Sequence, residues 1–430
     1  MNSVVWEIMR LEDAGVILLD CVHKTPPEDP AGQYRYVAIP QMSRGRLNLD
    51  EARRISEADF TEWTRKAHPQ PHDVVLSRRC NPGETAHVAP GERFALGQNL
   101  VLLRANGESV FPPFLRWLVR GPAWWEQIHK NLNVGAVFDS LKCRDVPMFE
   151  LPLPPLDEQR AIAAALGSLD DKIERNRRTG RVLERLARAI FRAWFVDFEP
   201  VKAKAAGATS FPSMPQPIFD ALPTTFTHSE LGPMPEGWEV KAIARIATFL
   251  NGLALQKYPP KGDGKDLPVI KIAQLRKGTT EGADLANSEI DDQYVVRDRD
   301  LLFSWSGTLE VEFWFGGKGA LNQHLFKVTS SHNPSWLCLL WIRHHLPWFR
   351  AIASSKATTM GHIKRGHLQE AMVVTAPLEV MRAADELVGT LYDLHAQVQL
   401  ESRKLAALRD YLLPKLLSGQ VRVGETEIVS

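Results

Sequence analysis

Cysteine is scarce in this chain: four in 430 residues, Cys21, Cys80, Cys143 and Cys338, far apart and without a Cys-x-x-Cys pair. That spacing points to neither a zinc site nor a disulfide framework, and a reducing, cytoplasmic home is expected. Long apolar runs are missing too. The longest obvious one, Trp336 to Ile342, falls far short of the ~20 residues a membrane helix needs. The N-terminal region carries Glu7 and Glu12 and lacks a basic-then-apolar pattern, so export is not expected. No excess of one charge exists either. Lys+Arg is 52 and Asp+Glu is 51, a net charge of +1, which excludes a strongly basic nucleic-acid coat and an acidic disordered tail. With 44% hydrophobic and 24% charged residues, the chain has the proportions of an ordinary folded protein, and its length predicts two to four domains.

Catalytic motifs are equally sparse. There is no GxxxxGK[ST] phosphate loop, which argues against ATP hydrolysis by this chain. There is no HExxH. His362 and His367 stand five apart, off the i,i+4 spacing of a helical metal pair, and the adjacent His344 and His345 would face different directions, so no metal site is expected. Phe315-Gly316-Gly317-Lys318-Gly319 fits the loose FxGxG pattern of many adenosylmethionine-binding loops. A working N6-adenine methyltransferase also needs an Asn/Asp-Pro-Pro-Tyr/Phe box to grip a flipped base. The chain offers only Thr25-Pro-Pro-Glu28, Phe111-Pro-Pro-Phe114 and Tyr258-Pro-Pro-Lys261. Residues 315–319 therefore read as a hairpin turn.

What is present is a repeat. Val37-Ala-Ile-Pro-Gln41-Met-Ser-Arg44-Gly45 matches Ile270-Lys-Ile-Ala-Gln274-Leu-Arg-Lys277-Gly278 at an offset of 233 (270 − 37). Pro26-Pro27 and Pro259-Pro260 share that offset, and Trp6-Glu7-Ile8 matches Trp238-Glu239-Val240 at 232 (238 − 6). Asp73–Ser77 matches Asp300–Ser304 at 227 (300 − 73), and Ala95–Leu100 matches Ala320–Leu325 at 225 (320 − 95). Leu141-Lys142 and Pro155-Leu156 match Ile363-Lys364 and Pro377-Leu378 at 222 (363 − 141). Six matches in one order, with a slowly drifting offset, make a tandem duplication.

Each repeat opens with an α+β globule, about 1–150 and 233–375. Asp73–Ser77, Leu100–Arg104, Val269–Ile272 and Asp300–Ser304 read as short buried strands, and Trp117–His129 and Trp336–Ala353 as helices. Each repeat closes with a long helix. Ile162, Leu166, Leu169, Ile173, Asn176, Gly180, Leu183, Ala187, Ile190 and Trp194 alternate by four and three, a heptad seam with weak positions at Asn176 and Gly180. The second copy runs Ala384, Leu387, Leu391, Leu394, Val398, Glu401, Leu405, Leu408, Leu412. Pro155 and Pro377 stand just ahead of these helices, and Pro414 should kink or end the second. Burial of each stripe against its own globule is the plainer alternative. Matched length and common origin favour pairing of the two helices with one another. About 35 residues at ~1.5 Å each make a rod near 50 Å, and a rod separating two globules at its opposite ends requires antiparallel helices. Between the repeats, Pro200 to Gly237 reads as a linker, packed in places by Phe211, Ile218, Phe219 and Leu231.

Basic and aromatic residues cluster at corresponding positions in both globules. The first has Lys24, Arg35, Arg44, Arg46, Arg78 and Arg79; the second has Lys257, Lys261, Lys271, Arg276, Lys277, Arg297 and Lys318, with Trp305 and Trp314 nearby. Guanidinium and ammonium groups contact phosphates and purine edges, which makes Arg44, Arg46, Arg78, Arg79, Lys257, Lys271, Arg276, Lys277, Trp305 and Lys318 candidate DNA-binding residues. For any one of them a solvated charged face is the blander reading.

Pro152-Leu-Pro-Pro155-Leu-Asp-Glu-Gln159-Arg160, running on through Ile162, Gly167, Asp171 and Ile173 to Asn176, resembles the central region of the specificity (S) subunit of type I restriction–modification systems. Ala193-Trp-Phe-Val-Asp197-Phe198 and Ser229-Glu-Leu-Gly-Pro-Met-Pro-Glu-Gly237-Trp238 are similar to further segments of that family. The resemblance covers essentially the whole chain. The second copy departs from the pattern: Pro377-Leu-Glu-Val-Met-Arg382 lacks the Pro-Pro and Glu-Gln features.

The resemblance implies an α+β fold with an internal pseudo-twofold repeat, two tandem target-recognition domains separated by a long antiparallel two-helix coiled coil. Its parts are target-recognition domain 1 (1–150), the family's central conserved helix (151–199), a linker (200–232), target-recognition domain 2 (233–375), the C-terminal conserved helix (376–420) and a tail (421–430). It implies a non-catalytic DNA sequence-specificity subunit that reads a bipartite asymmetric target in double-stranded DNA. Two methyltransferase subunits, and in restricting assemblies nuclease–translocase subunits, would dock on helices carrying Leu166, Leu169, Ile173, Leu183, Ile190, Leu391, Leu394, Val398, Leu405 and Leu408. Those partners, not this chain, would use S-adenosylmethionine, and ATP with magnesium for restriction. The helix length would act as a ruler between half-sites. Two other readings compete: a self-contained adenosylmethionine-dependent DNA methyltransferase, and a coiled-coil scaffold without sequence reading.

Overall fold

The computed structural model describes residues 6–135, 139–355 and 361–423. The chain forms two compact units. The first takes the chain up to Lys172 together with the segment from Leu405 onward, and the second is the continuous stretch Ile173–Lys404. The two long helices are thus no domain of their own; each is divided between the units. Among the described residues, no helix is long and apolar enough to cross a membrane.

The duplication is visible as strand pairing. In the first unit Val16–Asp20, Leu100–Ala105, Val74–Ser77 and Thr85–His87 form an antiparallel sheet in that spatial order. In the second, Thr248–Asn251, Leu325–Thr329, Leu301–Ser304 and Val311–Phe313 repeat it. Tyr34–Val37 lies between Arg53–Ile55, antiparallel, and Phe94–Leu96, parallel. Leu267–Ile270 lies in the same way between Leu285–Ala286 and Gly319–Leu321. A two-stranded ribbon joins the ends of each globule, Glu7–Arg10 with Glu150–Leu153 and Glu239–Ala242 with Met372–Thr375. The inner strands Val74–Ser77 and Leu301–Ser304 are buried along their whole length, which is why they read as unbroken apolar runs rather than alternating ones.

Several expectations need correction. The stretch read as one helix over 117–129 is two, Pro112–Leu118 and Pro122–Asn131, because Gly121-Pro122 interrupts it and the proline starts a new first turn. The strand expected over 269–272 stops at Ile270, and Ile272–Lys277 is a short helix. Residues 315–319 are not a hairpin turn. Val311–Phe313 pairs with Leu301–Ser304, whereas Gly319–Leu321 pairs with Leu267–Ile270, so the glycine segment passes from one sheet to another. The Trp314 indole donates to the Gly317 carbonyl across it, 2.6 Å. The linker is also more ordered than its composition indicates. It holds helices Glu199–Ala205 and Gln216–Ala221 and the ribbon Phe226–Ser229 with Gly232–Pro235. Phe219 is buried there, but Leu231 is exposed.

The long helices are Leu156–Phe191 and Thr390–Leu417. They run antiparallel within each unit. In the first, Ile162 and Leu166 share a core with Leu413, Leu416 and Leu417, while Asp170 meets Arg409. In the second, the Asn176 amide donates to Glu401 at 2.7 Å, and Gly180 faces His395 and Gln399. A β-carbon at 180 would stand 3.2 Å from the His395 ring, so glycine permits this close approach. The helix ends also bury against their own globules, so both readings of the stripes hold in part.

On the first helix Leu166, Ile173 and Ile190 are buried, and Leu169 and Leu183 half-buried. On the second, the expected seam is displaced. A π turn lies at Asp385–Gly389, and Val388, Tyr392, Arg409 and Leu413 are buried one place after the expected Leu387, Leu391, Leu408 and Leu412, with Ala396 buried two places after Leu394. Leu391, Val398 and Leu405 are half-buried, but Leu394 is 42% and Leu408 45% exposed. Leu394→Gln and Leu408→Gln should each shift stability by less than about 0.5 kcal/mol, whereas Ile173→Ala should cost about 2–5 kcal/mol. Urea unfolding checks both; a large loss from either leucine variant would restore the original seam. Pro414 does not end the helix, which continues to Leu417.

Candidate nucleic-acid interface

The basic residues expected to contact DNA differ in exposure and in the partners they hold. Arg44 is exposed at the tip of a two-residue hairpin between Met42–Ser43 and Arg46–Leu47. Arg44 and Gly45 both have positive φ, 52° and 77°, the conformation of a type I′ turn. The hairpin is held by His87, whose backbone N and Nδ1 both meet the Gly45 carbonyl at 3.1 Å. Burial, reinforced by Arg116, lowers the His87 pKa to about 4. The ring is therefore neutral, donating from Nδ1 and accepting from Arg116 at Nε2, 3.0 Å.

Arg46, next along, is not available in the way expected. Its guanidinium donates to the Asp170 carbonyl at 3.2 Å and pairs with the carboxylate at 3.5 Å, pinning the long helix to the globule. In the second unit Lys271 pairs with Asp284, and Arg276 pairs with Glu310 at 3.3 Å. Lys257, Lys277 and Lys318 have exposed side chains. Trp314 is core, 1% exposed.

A more organised arrangement surrounds Arg78. With His23 Nε2 donating to Asp20 at 3.0 Å, His23 Nδ1 accepts from the Arg78 guanidinium at 3.3 Å. The same guanidinium meets the Gln98 carbonyl at 3.4 Å. Gln98, Asn99 and Cys80 line an open cleft of about 660 Å³, with Tyr36, Gln41, Glu51 and Arg53 on its other walls. In the second unit the Trp305 indole donates to Asn251 at 2.9 Å and to the Gln323 carbonyl at 3.0 Å, while Ser306 meets His324 Nδ1 at 2.9 Å. Arg78, Arg79 and Trp305 are among the residues expected to contact DNA; Asp20, His23, Gln98, Asn99 and His324, which stand beside them, are not. The matched segments 95–100 and 320–325 contain Gln98, Asn99 and His324.

The helices are fixed by buried polar hubs. Asp170 is almost wholly buried and accepts from Arg409 at 2.5 Å, with Arg116 at 3.8 Å and Arg46 at 3.5 Å. Burial pushes its carboxyl up, but these arginines more than offset that and hold it below the usual carboxylate range. Glu184 is treated alike in the second unit: burial raises it, and Arg343 and Arg188 bring it below the ordinary value. Gln159, fully buried, accepts from the Phe111 N–H and donates to the Ser109 and Pro154 carbonyls, each at 2.8 Å. The Glu-Gln feature is thus a local clamp on the helix start. Its counterpart in the second copy, at the offset of 222, is Met381, which lines an open cleft of about 520 Å³ with Pro377, Arg382 and Asp385.

Residues 4–185 and 235–409 match the family model described as the type I restriction modification DNA specificity domain. Over 98% of this chain and 94% of the relative, the sequence is 25% identical to the type I restriction enzyme MjaIX specificity subunit of Methanocaldococcus jannaschii. It is 22% identical to the HindI specificity subunit of Haemophilus influenzae, over 77% of this chain and 82% of that one. Among solved structures, a type I restriction–modification S subunit from M. genitalium shares the fold, with a TM-score of 0.53 and 15% identity over 97% of each chain.

Proposed function

This chain belongs to the type I restriction–modification DNA specificity family, and from that premise we propose that its two units read the two halves of a bipartite target in double-stranded DNA. It is a specificity subunit, a non-catalytic part of an enzyme complex. In this reading two methyltransferase subunits dock on the long helices and modify one adenine in each half-site. Nuclease–translocase subunits join when the complex restricts. S-adenosylmethionine, and ATP with magnesium, belong to those partners, and the assembly works in the cytoplasm.

The observation that carries the reading is one backbone plan folded twice with different side chains at matching places. Duplicated readers with unlike surfaces suit an asymmetric target, because each can offer its own donors and acceptors to base edges. The continuous helix of 36 residues rises ~54 Å, more than the ~34 Å of one B-DNA turn, so its length can set the unspecified spacer. Much of the phosphate neutralisation falls to the partners, since this chain has a net charge of only +1.

Genome-wide mapping of methylated adenines, with the chain present and deleted, tests the proposal. One bipartite motif is expected to vanish on deletion while other methylation persists. An unaltered methylation map would end it.

A further inference from the structure

The duplication places one small polar rim twice, at the ends of corresponding strands. The Arg78 N–H donates to the Asn99 carbonyl at 3.0 Å, and the Trp305 N–H to the His324 carbonyl at 3.3 Å. The Leu141 N–H donates to the Arg78 carbonyl at 2.8 Å, and the Ile363 N–H to the Trp305 carbonyl at 2.9 Å. Arg79 bridges Ser140, and Ser306 bridges His362. Even the side chains keep one bond in common: the Arg78 guanidinium and the Trp305 indole both reach the backbone carbonyl of the glutamine that follows, Gln98 or Gln323. Backbone at these positions has been retained while side-chain chemistry has changed, Arg to Trp, Arg to Ser and Asn to His, with glutamine in both.

We propose that this rim sets base specificity: Arg78, Arg79, Gln98 and Asn99 for one half-site, and Trp305, Gln323 and His324 for the other. The inference rests on the DNA-reading function proposed above and names where the reading is done. Three observations favour these residues over the more basic ones. None of these seven belongs to the fully buried core, unlike Ser306, which is 3% exposed with its hydroxyl held by His324, and Gln98 and Asn99 open onto the 660 Å³ cleft. The side-chain amides of those two make no hydrogen bond among the described residues, so their donors and acceptors face solvent ready for a base edge. The chemistry is that of direct readout: guanidinium for guanine O6 and N7, amide for adenine N6 and N7.

Asp20, Cys21 and His23 place ligand atoms within 4.8 Å of one another and resemble a metal site. Arg78 already supplies the cation there, at 3.3 Å from His23 Nδ1. Asp20 and His23 are therefore positioning residues that aim Arg78, and Asn251 aims Trp305 in the same way.

The test uses the full chain assembled with its methyltransferase partners and a DNA library randomised across both half-sites. Three variants take the residue found at the equivalent place, so that each new side chain is one the same backbone already carries: Arg79→Ser, Asn99→His and His324→Asn. Relative methylation of each library member is the readout. Each variant should change discrimination by roughly 5–150-fold at a base pair of one half-site, the first two in one half and the third in the other, with the spacer unchanged. Unchanged preferences, changes in both halves from one variant, or uniform loss across the library would each overturn the proposal. The unaltered complex separates the two levels of inference. If it shows no bipartite preference, the DNA-reading function fails and the rim with it; if it does and the variants do not redistribute that preference, only the rim fails.

Discussion

Asp170→Ala is expected to destabilise the first unit by about 3–5 kcal/mol, the range for removing one partner of a buried ion pair. The carboxylate is 3% exposed and is the shared acceptor of Arg409, Arg116 and Arg46. Truncation leaves three guanidinium groups facing one another. In the intact hub burial lowers the Arg116 pKa only to about 10, with Asp170 holding it up, so the guanidinium is charged at neutral pH. Asp170→Leu with Arg409→Met should recover part of the loss, since the uncompensated charge goes with its partner. The pH dependence has a definite sign. Asp170 titrates below the usual carboxylate value, so its contribution is present above about pH 4 and disappears as pH falls through the still lower folded value. Asp170→Asn should abolish that acid-side dependence. Amide exchange of the first unit, followed through urea and pH, measures all three variants. A loss under about 1 kcal/mol for Asp170→Ala would show that the hub is solvated rather than dry.

Gln159→Ala should cost about 2–4 kcal/mol, because it strands three backbone groups at once. The Phe111 N–H loses its acceptor, and the Ser109 and Pro154 carbonyls lose their donor. Gln159→Glu is not expected to rescue: it keeps an acceptor for Phe111 but turns carboxylate oxygen toward two carbonyls. Gln159→Met, which copies the residue at the corresponding place of the second unit, should fail as well, since thioether sulfur donates nothing. The direct readout is protection of the Phe111 amide against exchange. If protection survives in the alanine variant, water or another group has taken the place of the side chain, and the clamp is dispensable.

The repeat, the two globules and the first helical stripe were legible because each rests on local pattern. Val74–Ser77 and Leu301–Ser304 announce themselves as apolar runs, and Ile162 to Ile190 keeps an unbroken alternation of four and three. What escaped depends on geometry no short window contains. After the π turn at Asp385–Gly389 the second seam is displaced and Leu394 and Leu408 face outward, though the leucine spacing itself is regular. Arg46 looks like any exposed cation until residue 170 arrives beside it, 124 positions along the chain. The segment 315–319 has the composition of a hairpin, and only the parallel partner of Gly319–Leu321 shows that it crosses between sheets. At the candidate interface, positive charge singles out lysines that sit on open surface, while the neutral Gln98 and Asn99 carry no signal beyond their place in a repeat.

The division of the chain at Lys172 and Leu405 also orders events in time. The second unit is one uninterrupted stretch and can finish folding as soon as it has been made. The first cannot: Arg409 must reach Asp170, and Leu413, Leu416 and Leu417 must cover Ile162 and Leu166. Between the two parts of the first unit lie 232 residues (404 − 172), roughly 12–46 s of synthesis at ~5–20 residues per second. Throughout that interval the earliest-made globule carries an unfinished apolar seam and a carboxylate still lacking Arg409, the only one of its three arginines made last. The part of the molecule translated first is the last to become stable.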